Sequence, residues 1–230
     1  MKKLFLFFAI ISIQLCCFSP AFSVSFEEAT KRAAEQGNAN AQLTLGIMYN
    51  LGEGVPQDFA KAHQWFERAA KQGNSDAQLN LGFMYATGEG VRQDYHKAKE
   101  WFEKAAAQGN PDAQLNLGIM YATGEGVRQD YQKSIQWYEK SAKKGNSQAQ
   151  YNLGVMYYDG KGVRQNYRNA KEWFEKAAAQ GNTSAQFNLG IMYESGKGVR
   201  QNRATAKEWY GKACDNGDQE GCDAYARLNR

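Results

Sequence analysis

The chain has 230 residues, a mean hydropathy of −0.69 and a formal net charge of +4 at pH 7. Its first 23 residues contain two lysines and no acid, so the remainder carries 26 basic and 24 acidic side chains and is nearly neutral. This balance argues against nucleic acid or an anionic membrane surface as an obligatory partner. No apolar stretch after residue 23 is long enough to span a bilayer.

Residues 1–23 are typical of a secretory signal peptide. Two lysines form a positive n-region, residues 4–13 form an apolar h-region, and Ala21 and Ser23 place small residues where a signal peptidase reads. We expect cleavage after Ser23 and a bacterial protein that is periplasmic or secreted. Lipidation is the alternative, but the two cysteines of this segment lack the preceding small residue that a lipobox needs.

A block of 36 residues recurs five times between residues 38 and 217, without insertion or deletion. The blocks span residues 38–73, 74–109, 110–145, 146–181 and 182–217. Each contains Leu-Gly-x-Met-Tyr, then Gly-x-Gly-Val, and then a tryptophan followed by a second aromatic residue. A fixed period of this length is typical of one supersecondary unit stacked on itself, and such chains mostly bind other proteins.

The second block predicts a helix, a short loop and a second helix. Apolar residues recur at helical spacing in residues 76–87, where Gly82 allows close approach of a neighbouring helix and Gly88 ends the helix. Asp94 is the predicted N-cap of the second helix, whose apolar stripe contains the aromatic pair. Because one such hairpin cannot bury both of its apolar faces, stacking on neighbouring hairpins is required.

The predicted fold is therefore all-α, an α/α solenoid in which helix-loop-helix repeats form a right-handed superhelix. Residues 24–37 are predicted to form an N-terminal capping helix and residues 218–230 a C-terminal one, which gives about twelve helices by repeat counting. The tryptophans are expected to fill the space between helices. If its indole is fully buried, Trp137→Ala should lower the free energy of unfolding by about 3–5 kcal/mol.

Three motifs carry a resemblance to a known family: Ala-Gln-x-x-Leu-Gly-x-Met-Tyr, Gly-x-Gly-Val and Lys-Ala-x-x-Trp-Phe-x-Lys-Ala-Ala. They resemble Sel-one-like repeats, the relatives of tetratricopeptide repeats with a longer loop. The resemblance implies an α/α solenoid that serves as an interaction scaffold, and it names no partner. Residues 212–222 are similar in cysteine spacing to the Helicobacter cysteine-rich proteins, some of which are described as weak β-lactamases.

The two cysteines that remain after processing are Cys214 and Cys222, and an even number in an exported chain indicates a disulfide bond. They replace an alanine and a glutamine that every earlier repeat junction carries. The alanines are Ala34, Ala70, Ala106, Ala142 and Ala178, and the glutamines are Gln42, Gln78, Gln114, Gln150 and Gln186. If Ala and Gln touch at each junction, the cysteines there can bond. A regulatory redox pair is the alternative.

The side of each first helix opposite its apolar stripe is predicted to line a concave groove, the candidate binding site. Its amide row consists of Asn80, Asn116, Asn152 and Asn188, after Thr44 in the first repeat. Its apolar rows are Phe83, Ile119, Val155 and Ile191 after Ile47, and Leu79, Leu115, Tyr151 and Phe187 after Leu43. Amides donate to and accept from an extended peptide backbone. We expect Asn116 and Asn152 to face solvent in the free protein; packing between first helices is the alternative for the apolar rows.

Two further rows have other predicted roles. The glutamine row, from Gln42 onward, points away from the groove and is expected to satisfy loop carbonyls. Arginines recur beside the loops at Arg92, Arg128, Arg164 and Arg200, with Pro56 in the first repeat. They either pair with the nearby acids Glu53, Glu89 and Glu125 in a solvated rim, or form a basic edge that meets an acidic partner.

The sequence carries no catalytic pattern. His63 and His96 occupy different repeat positions and have no ligand at metal spacing, and the Gly-x-Gly loops follow helices and lack a P-loop lysine. Ser141 begins a single Ser-x-x-Lys match without its companion motifs. The predicted protein is a monomeric exported adaptor that binds a protein or peptide, without enzyme activity, cofactor or metal. The alternative is a cell-wall-active protein that binds or weakly hydrolyses β-lactam or peptidoglycan fragments.

Overall fold

The structure is a computed structural model, and it describes residues 20–229. Within that range the chain forms twelve α-helices and no β-strand. They are α1 (Pro20–Glu35), α2 (Ala39–Leu51), α3 (Phe59–Lys71), α4 (Ser75–Thr87), α5 (Tyr95–Ala107), α6 (Pro111–Thr123), α7 (Tyr131–Lys143), α8 (Ser147–Asp159), α9 (Tyr167–Ala178), α10 (Thr183–Ser195), α11 (Arg203–Asp215) and α12 (Gln219–Leu228). The predicted signal peptide lies outside the described residues, except for its last four, which open α1. Among these helices, none has the length and hydropathy needed to cross a membrane.

The described chain divides into two compact units. The first unit contains residues up to 113 together with 125–127, and the second contains residues 114–124 and those from 128 onward. Within each unit, helices that are consecutive in sequence pack against each other, from α1 to α5 in the first and from α7 to α12 in the second. This packing of successive helix pairs confirms the predicted all-α, α/α solenoid of helix-loop-helix repeats.

The first helices begin and end at the cap residues that the sequence contains. The side chain of Asn146 accepts a hydrogen bond from the backbone N–H of Ala149 at the start of α8. Gly160 ends α8 in the left-handed conformation, with a φ of 72°, and donates its N–H to the carbonyl of Met156. Gly88 ends α4 in the same way, as predicted. These contacts satisfy backbone groups that a helix terminus leaves unpaired.

The second helices are capped by an Asx side chain, and the loops before them are tightly packed. Asp94 accepts from the N–H groups of His96 and Lys97 at 3.0 and 3.1 Å, which confirms the predicted N-cap of α5. Gly90 has a φ of 71°, and a Cβ there would lie 2.6 Å from the carbonyl oxygen of Phe59. Glycine is therefore required at Gly90 both by its backbone conformation and by the preceding repeat.

The buried aromatic residue of each repeat is the one that follows the tryptophan. These residues are Phe66, Phe102, Tyr138, Phe174 and Tyr210, and at most 3 % of any of them is exposed. Each ring lies against the glycine of Leu-Gly-x-Met-Tyr on the first helix; a Cβ on Gly154 would be 2.5 Å from the Phe174 ring. Gly82 meets Phe102 in the same manner, so the predicted close approach of helices at Gly82 is confirmed.

The tryptophans are half-buried rather than fully buried. Core clusters pack against Trp65, Trp101, Trp173 and Trp209, so these rings fill part of the space between helices. The ammonium of Lys140 lies 3.8 Å from the centroid of the Trp137 ring. The other four are covered alike, by Arg68 on Trp65, Lys104 on Trp101, Lys176 on Trp173 and Lys212 on Trp209. Adjacent helical residues point about 100° apart, so only one of the aromatic pair can face the first helix. The expected effect of Trp137→Ala falls accordingly below the value for a fully buried indole.

The contact between Gly154 and Phe174 leads to a stability prediction. We expect Gly154→Ala to lower the free energy of unfolding by up to about 2 kcal/mol, because overpacking costs about 1–3 kcal/mol and alanine regains about 1 kcal/mol of helix propensity. The matched control is Gly211→Ala in α11, whose new Cβ would lie 3.2 Å from the ring edge of the exposed Tyr225. Urea unfolding should show Gly211→Ala as neutral or stabilising, and equal effects of the two changes would contradict the tight contact.

The glutamine row has the structural role predicted for it. Gln150 Nε2 donates to the carbonyl of Ala142 at 3.2 Å, and Gln150 Oε1 accepts from Gln180 Nε2 at 2.8 Å. In the first unit, Gln78 makes the corresponding pair of bonds with Ala70 and Gln108. The accepting carbonyl belongs to the last turn of the second helix rather than to the loop, where helical carbonyls lack intrahelical partners.

The last junction replaces this pair of residues by cysteines. Cys214 on α11 and Cys222 on α12 form a disulfide bond, with their Cα atoms 4.5 Å apart. The predicted bridge is confirmed, and so is the contact of alanine with glutamine from which it was inferred. The disulfide bond therefore ties the capping helix α12 to the last repeat.

Candidate functional site

In the second unit, the candidate groove face is carried by α6, α8 and α10. Asn116 on α6 has only 6 % of its surface exposed, so the expectation that it faces solvent is wrong. First helices packed at about 8–10 Å allow side chains of adjacent rows to cover each other. Asn152 and Asn188, which follow at intervals of one repeat, are half-buried. They are the amides of this row that a ligand can reach in the second unit.

Both amides already take part in hydrogen bonds within the unit. Gln148 Nε2 donates to Asn152 Oδ1 at 3.1 Å. Asn188 Nδ2 donates to the hydroxyl of Tyr151 at 3.5 Å. A primary amide has two donor hydrogens and two acceptor lone pairs. These contacts fix the orientation of both side chains and leave hydrogen-bonding capacity for a ligand.

The phenols next to the amides act as hydrogen-bonding groups without acid–base chemistry. Burial raises the pKa of Tyr138 to about 12. Burial likewise raises the pKa of Tyr151, although its hydrogen bond to Asn188 opposes the shift. Both hydroxyls therefore remain protonated at neutral pH. The face presents oriented donors and acceptors, which suits binding.

The side chains of the apolar rows are partly buried in the core and partly exposed to solvent. Ile119, Val155 and Ile191 are half-buried and pack on the core clusters of the second unit. The ring of Tyr151 lies 5.8 Å from that of Phe174, and Phe187 lies 5.4 Å from Tyr210. The packing alternative thus accounts for most of the surface of these side chains. The part that stays exposed is available as contact area beside Asn152 and Asn188.

The corresponding positions of the first unit are more fully occupied by internal contacts. Asn80 Nδ2 donates to the backbone carbonyl of Asp76 at 2.8 Å, one turn back on its own helix. Only 5 % of Phe83 is exposed, and its ring meets Phe102 edge to face at 5.5 Å. This part of the predicted row offers a ligand less surface than the second unit does.

Ser141 and His63, which the sequence analysis considered as a nucleophile and a metal ligand, both have structural roles. Ser141 is completely buried, so the hydroxyl of the Ser-x-x-Lys match is inaccessible to a substrate. His63 Nε2 lies 3.3 Å from the hydroxyl of Tyr85, and burial lowers the pKa of His63. The imidazole is therefore neutral at pH 7 and serves as a hydrogen-bonding partner.

The arginines beside the loops were treated as one row in the sequence analysis, but in the structure those of the last two repeats differ from the others. A concavity of about 830 Å³ lies in the second unit between the loops that precede α9 and α11, and Arg164, Arg168 and Arg200 line it. Pairing of the loop arginines with nearby acids was one of the two alternatives for this row. In the second repeat, the ion pairs of the described residues do not include one between Arg92 and Glu89. A visible signal was the change from Gly-Glu-Gly to Gly-Lys-Gly in the last two repeats.

A family model now accounts for the whole repeat region. Five Sel1 repeats match residues 39–74, 75–110, 111–146, 147–182 and 183–218. The chain belongs to the Sel1 repeat family. The resemblance drawn from the sequence motifs is confirmed, and a role in protein interaction is consistent with the Sel1 repeat scaffold.

Solved structures of other Sel1 repeat proteins are similar to this chain. A protective antigen with an SLR fold from uropathogenic Escherichia coli is 43% identical, with a TM-score of 0.85 over 88% of this chain. The present chain spans only 43% of that protein. A Sel1 repeat protein from Oxalobacter formigenes is 34% identical, with a TM-score of 0.78, and 85% of this chain and 86% of that one are covered.

A cysteine-rich protein is also among the similar structures. Cysteine rich protein B of Helicobacter pylori is 26% identical over 54% of this chain and 95% of its own, with a TM-score of 0.45. This similarity is too low to support a functional argument. No curated protein sequence matches the chain.

Proposed function

We propose that this Sel1 repeat protein is an exported scaffold that binds an extended segment of a partner protein. The proposed site is the candidate groove face of α6, α8 and α10 in the second unit, which carries Asn152 and Asn188 and which we call the first-helix face. The observation that carries the proposal is the pair Asn152 and Asn188. Both are partly exposed, oriented by internal hydrogen bonds and flanked by the exposed parts of Val155 and Ile191.

This arrangement suits a polypeptide backbone better than a small molecule. Extended peptides present carbonyl and N–H groups along their length, and amide side chains can both donate to and accept from them. The apolar neighbours add contact area on either side of the amides. Hydrogen bonds supply the alignment, and partial burial of Val155 and Ile191 by the ligand supplies a hydrophobic contribution.

The disulfide bond supports the proposed location outside the cytoplasm. Disulfides persist in oxidising compartments and are rare where thiols are kept reduced. The bond between Cys214 and Cys222 closes the last repeat onto its cap, which is a structural position. An export signal in the N-terminal 23 residues would deliver the chain to such a compartment.

The proposal is tested by selecting ligands from a displayed library of random peptides and measuring their affinity for the mature protein. We expect Asn152→Ala combined with Asn188→Ala to weaken binding about fivefold or more, since each lost hydrogen bond contributes about 0.5–1.5 kcal/mol. The matched control changes two exposed polar residues of α7, Gln132→Ala and Gln136→Ala, and should leave affinity unchanged.

Two results would contradict this function. If both double variants bind the selected peptides as tightly as the unaltered protein, the first-helix face is not the site. Hydrolysis of a chromogenic cephalosporin by the purified mature protein would instead favour the cell-wall-active alternative.

A further inference from the structure

The loops before the second helices differ in charge along the chain. In the first three repeats the residue between the loop glycines is Glu53, Glu89 or Glu125, and the helix N-caps are Asp58, Asp94 and Asp130. In the last two repeats the same positions hold Lys161 and Lys197, and the N-caps are Asn166 and Asn202. Two acidic positions per loop have thus become basic or neutral in repeats four and five.

The asparagine caps retain the structural function of the aspartates. The side chain of Asn166 accepts from the N–H groups of Arg168 and Asn169 at 3.1 Å each, so α9 is capped without a carboxylate. The positive end of the helix dipole is therefore not neutralised by its cap. Arg168 in the first turn of α9 and Arg203 in that of α11 add further positive charge.

The neutral caps Asn166 and Asn202 lie in two adjoining depressions of the second unit. The arginines that line these depressions form what we call here the basic edge: Arg164, Arg168, Arg200 and Arg203. The cavity of about 830 Å³ is lined by Arg164, Arg168 and Arg200. An adjoining cavity of about 740 Å³ is lined by Lys171, Arg200 and Arg203. No aspartate or glutamate lines either cavity.

The nearby acids are held by other cations. Asp159 pairs with Lys161 at 2.7 Å, Glu175 with Lys171 at 2.8 Å, and Glu194 with Arg227 at 2.6 Å. The lysine of the last loop, Lys197, donates to the hydroxyl of Tyr158 at 3.0 Å. Among the ion pairs of the described residues, none involves the exposed guanidinium groups of Arg164, Arg168 and Arg200.

We propose that the basic edge is a second binding surface, distinct from the first-helix face, and that its ligand is an acidic segment of a polypeptide rich in glutamate or aspartate. The guanidinium group forms two parallel hydrogen bonds with a carboxylate, which favours this chemistry. Tyr167 and Val199 in the cavity wall provide apolar contact for the stems of such side chains.

The limited charge of the protein favours a polypeptide over a membrane. A bilayer binds best to a broad surface of high positive charge. The whole chain carries a formal charge of only +4. Arg164 and Arg200 line one cavity from successive repeats, so neighbouring acidic side chains of one segment can reach both.

The test uses the disulfide-bonded mature chain and a fluorescent decapeptide rich in glutamate, with a glutamine-rich decapeptide of the same length as its neutral counterpart. Fluorescence anisotropy at low salt measures both affinities. We expect binding of the acidic peptide only, weakened about tenfold by Arg164→Gln combined with Arg200→Gln and weakened further by salt. Thermal unfolding of the variant should match that of the parent, because both guanidinium groups are exposed.

The matched control is Arg92→Gln combined with Arg128→Gln, at the same loop positions in repeats that retain the acids. It should change the affinity less than about twofold. The Asn152→Ala and Asn188→Ala double variant should bind the acidic peptide normally, which separates this surface from the first-helix face. The proposal is overturned if the acidic peptide does not bind, if both arginine double variants weaken it equally, or if the protein binds phosphatidylglycerol vesicles in preference to the peptide.

Discussion

Phe174→Ala is expected to lower the free energy of unfolding by about 3–5 kcal/mol, the typical cost of removing a fully buried aromatic ring. Only 1 % of the surface of the ring is exposed, and the ring lies against Gly154. It belongs to the same core cluster as Leu189 and Met192 of the next repeat. The substitution leaves a cavity that rigid helices on both sides cannot close. Urea unfolding followed by circular dichroism measures the loss.

The neighbouring residue provides the matched control. Trp173 is larger than Phe174 but half-buried, and Lys176 covers its outer face at 4.1 Å. We expect Trp173→Ala to cost about 1–2 kcal/mol, in proportion to the apolar area that it buries. If Trp173→Ala destabilises the protein more than Phe174→Ala does, the assignment of inner and outer aromatic residues is wrong.

Removal of the disulfide bond by Cys214→Ala combined with Cys222→Ala is expected to lower the free energy of unfolding by about 2–3 kcal/mol, the chain-entropy value for so short a loop. The bond closes a loop between residues eight positions apart, and it holds α12 against α11. Helix content should stay close to normal because only the capping helix is released. Thermal unfolding with and without reductant measures the effect in the unaltered protein.

The repeats themselves supply a control for this change. Cys214→Ala combined with Cys222→Gln restores the pair found at earlier junctions, where a glutamine Nε2 donates to an alanine carbonyl at about 3.2 Å. We expect this variant to recover about 0.5–1.5 kcal/mol over the double alanine variant, the contribution of one hydrogen bond. Equal stability of the two variants would show that the last junction does not share the packing of the others.

Local signals determined the helix pairs. Asn146 and Asp94 cap helices through hydrogen bonds to N–H groups two or three residues away, and Gly160 ends a helix through its own backbone conformation. Such contacts lie within one helical turn and can be read from the sequence without knowing the fold. The exact 36-residue period then predicted that every pair packs in the same way.

The period also predicted one long-range contact correctly. Cys214 and Cys222 stand at positions where five alanines and five glutamines alternate through the chain, so their pairing followed from repetition. The bond seen between Gln150 and Ala142 shows why: the two positions meet at each junction. Repetition thus converts a tertiary contact into a sequence pattern.

Only the tertiary structure decided which side chains remain exposed. The sequence alone determined the helices, their order and the junction contacts, because these depend on residues within one turn or one period. Trp137 and Tyr138 are adjacent on α7, and both are apolar enough for a core. Tyr138 is buried and Trp137 is only half-buried, because the side of α7 against which the neighbouring helices pack decides which of the two side chains is covered. Asn116 and Asn152 are identical residues at equivalent positions, yet Asn116 is buried and Asn152 is partly exposed. Exposure is a property of the neighbours that pack around a side chain, and those neighbours are brought together from distant parts of the sequence.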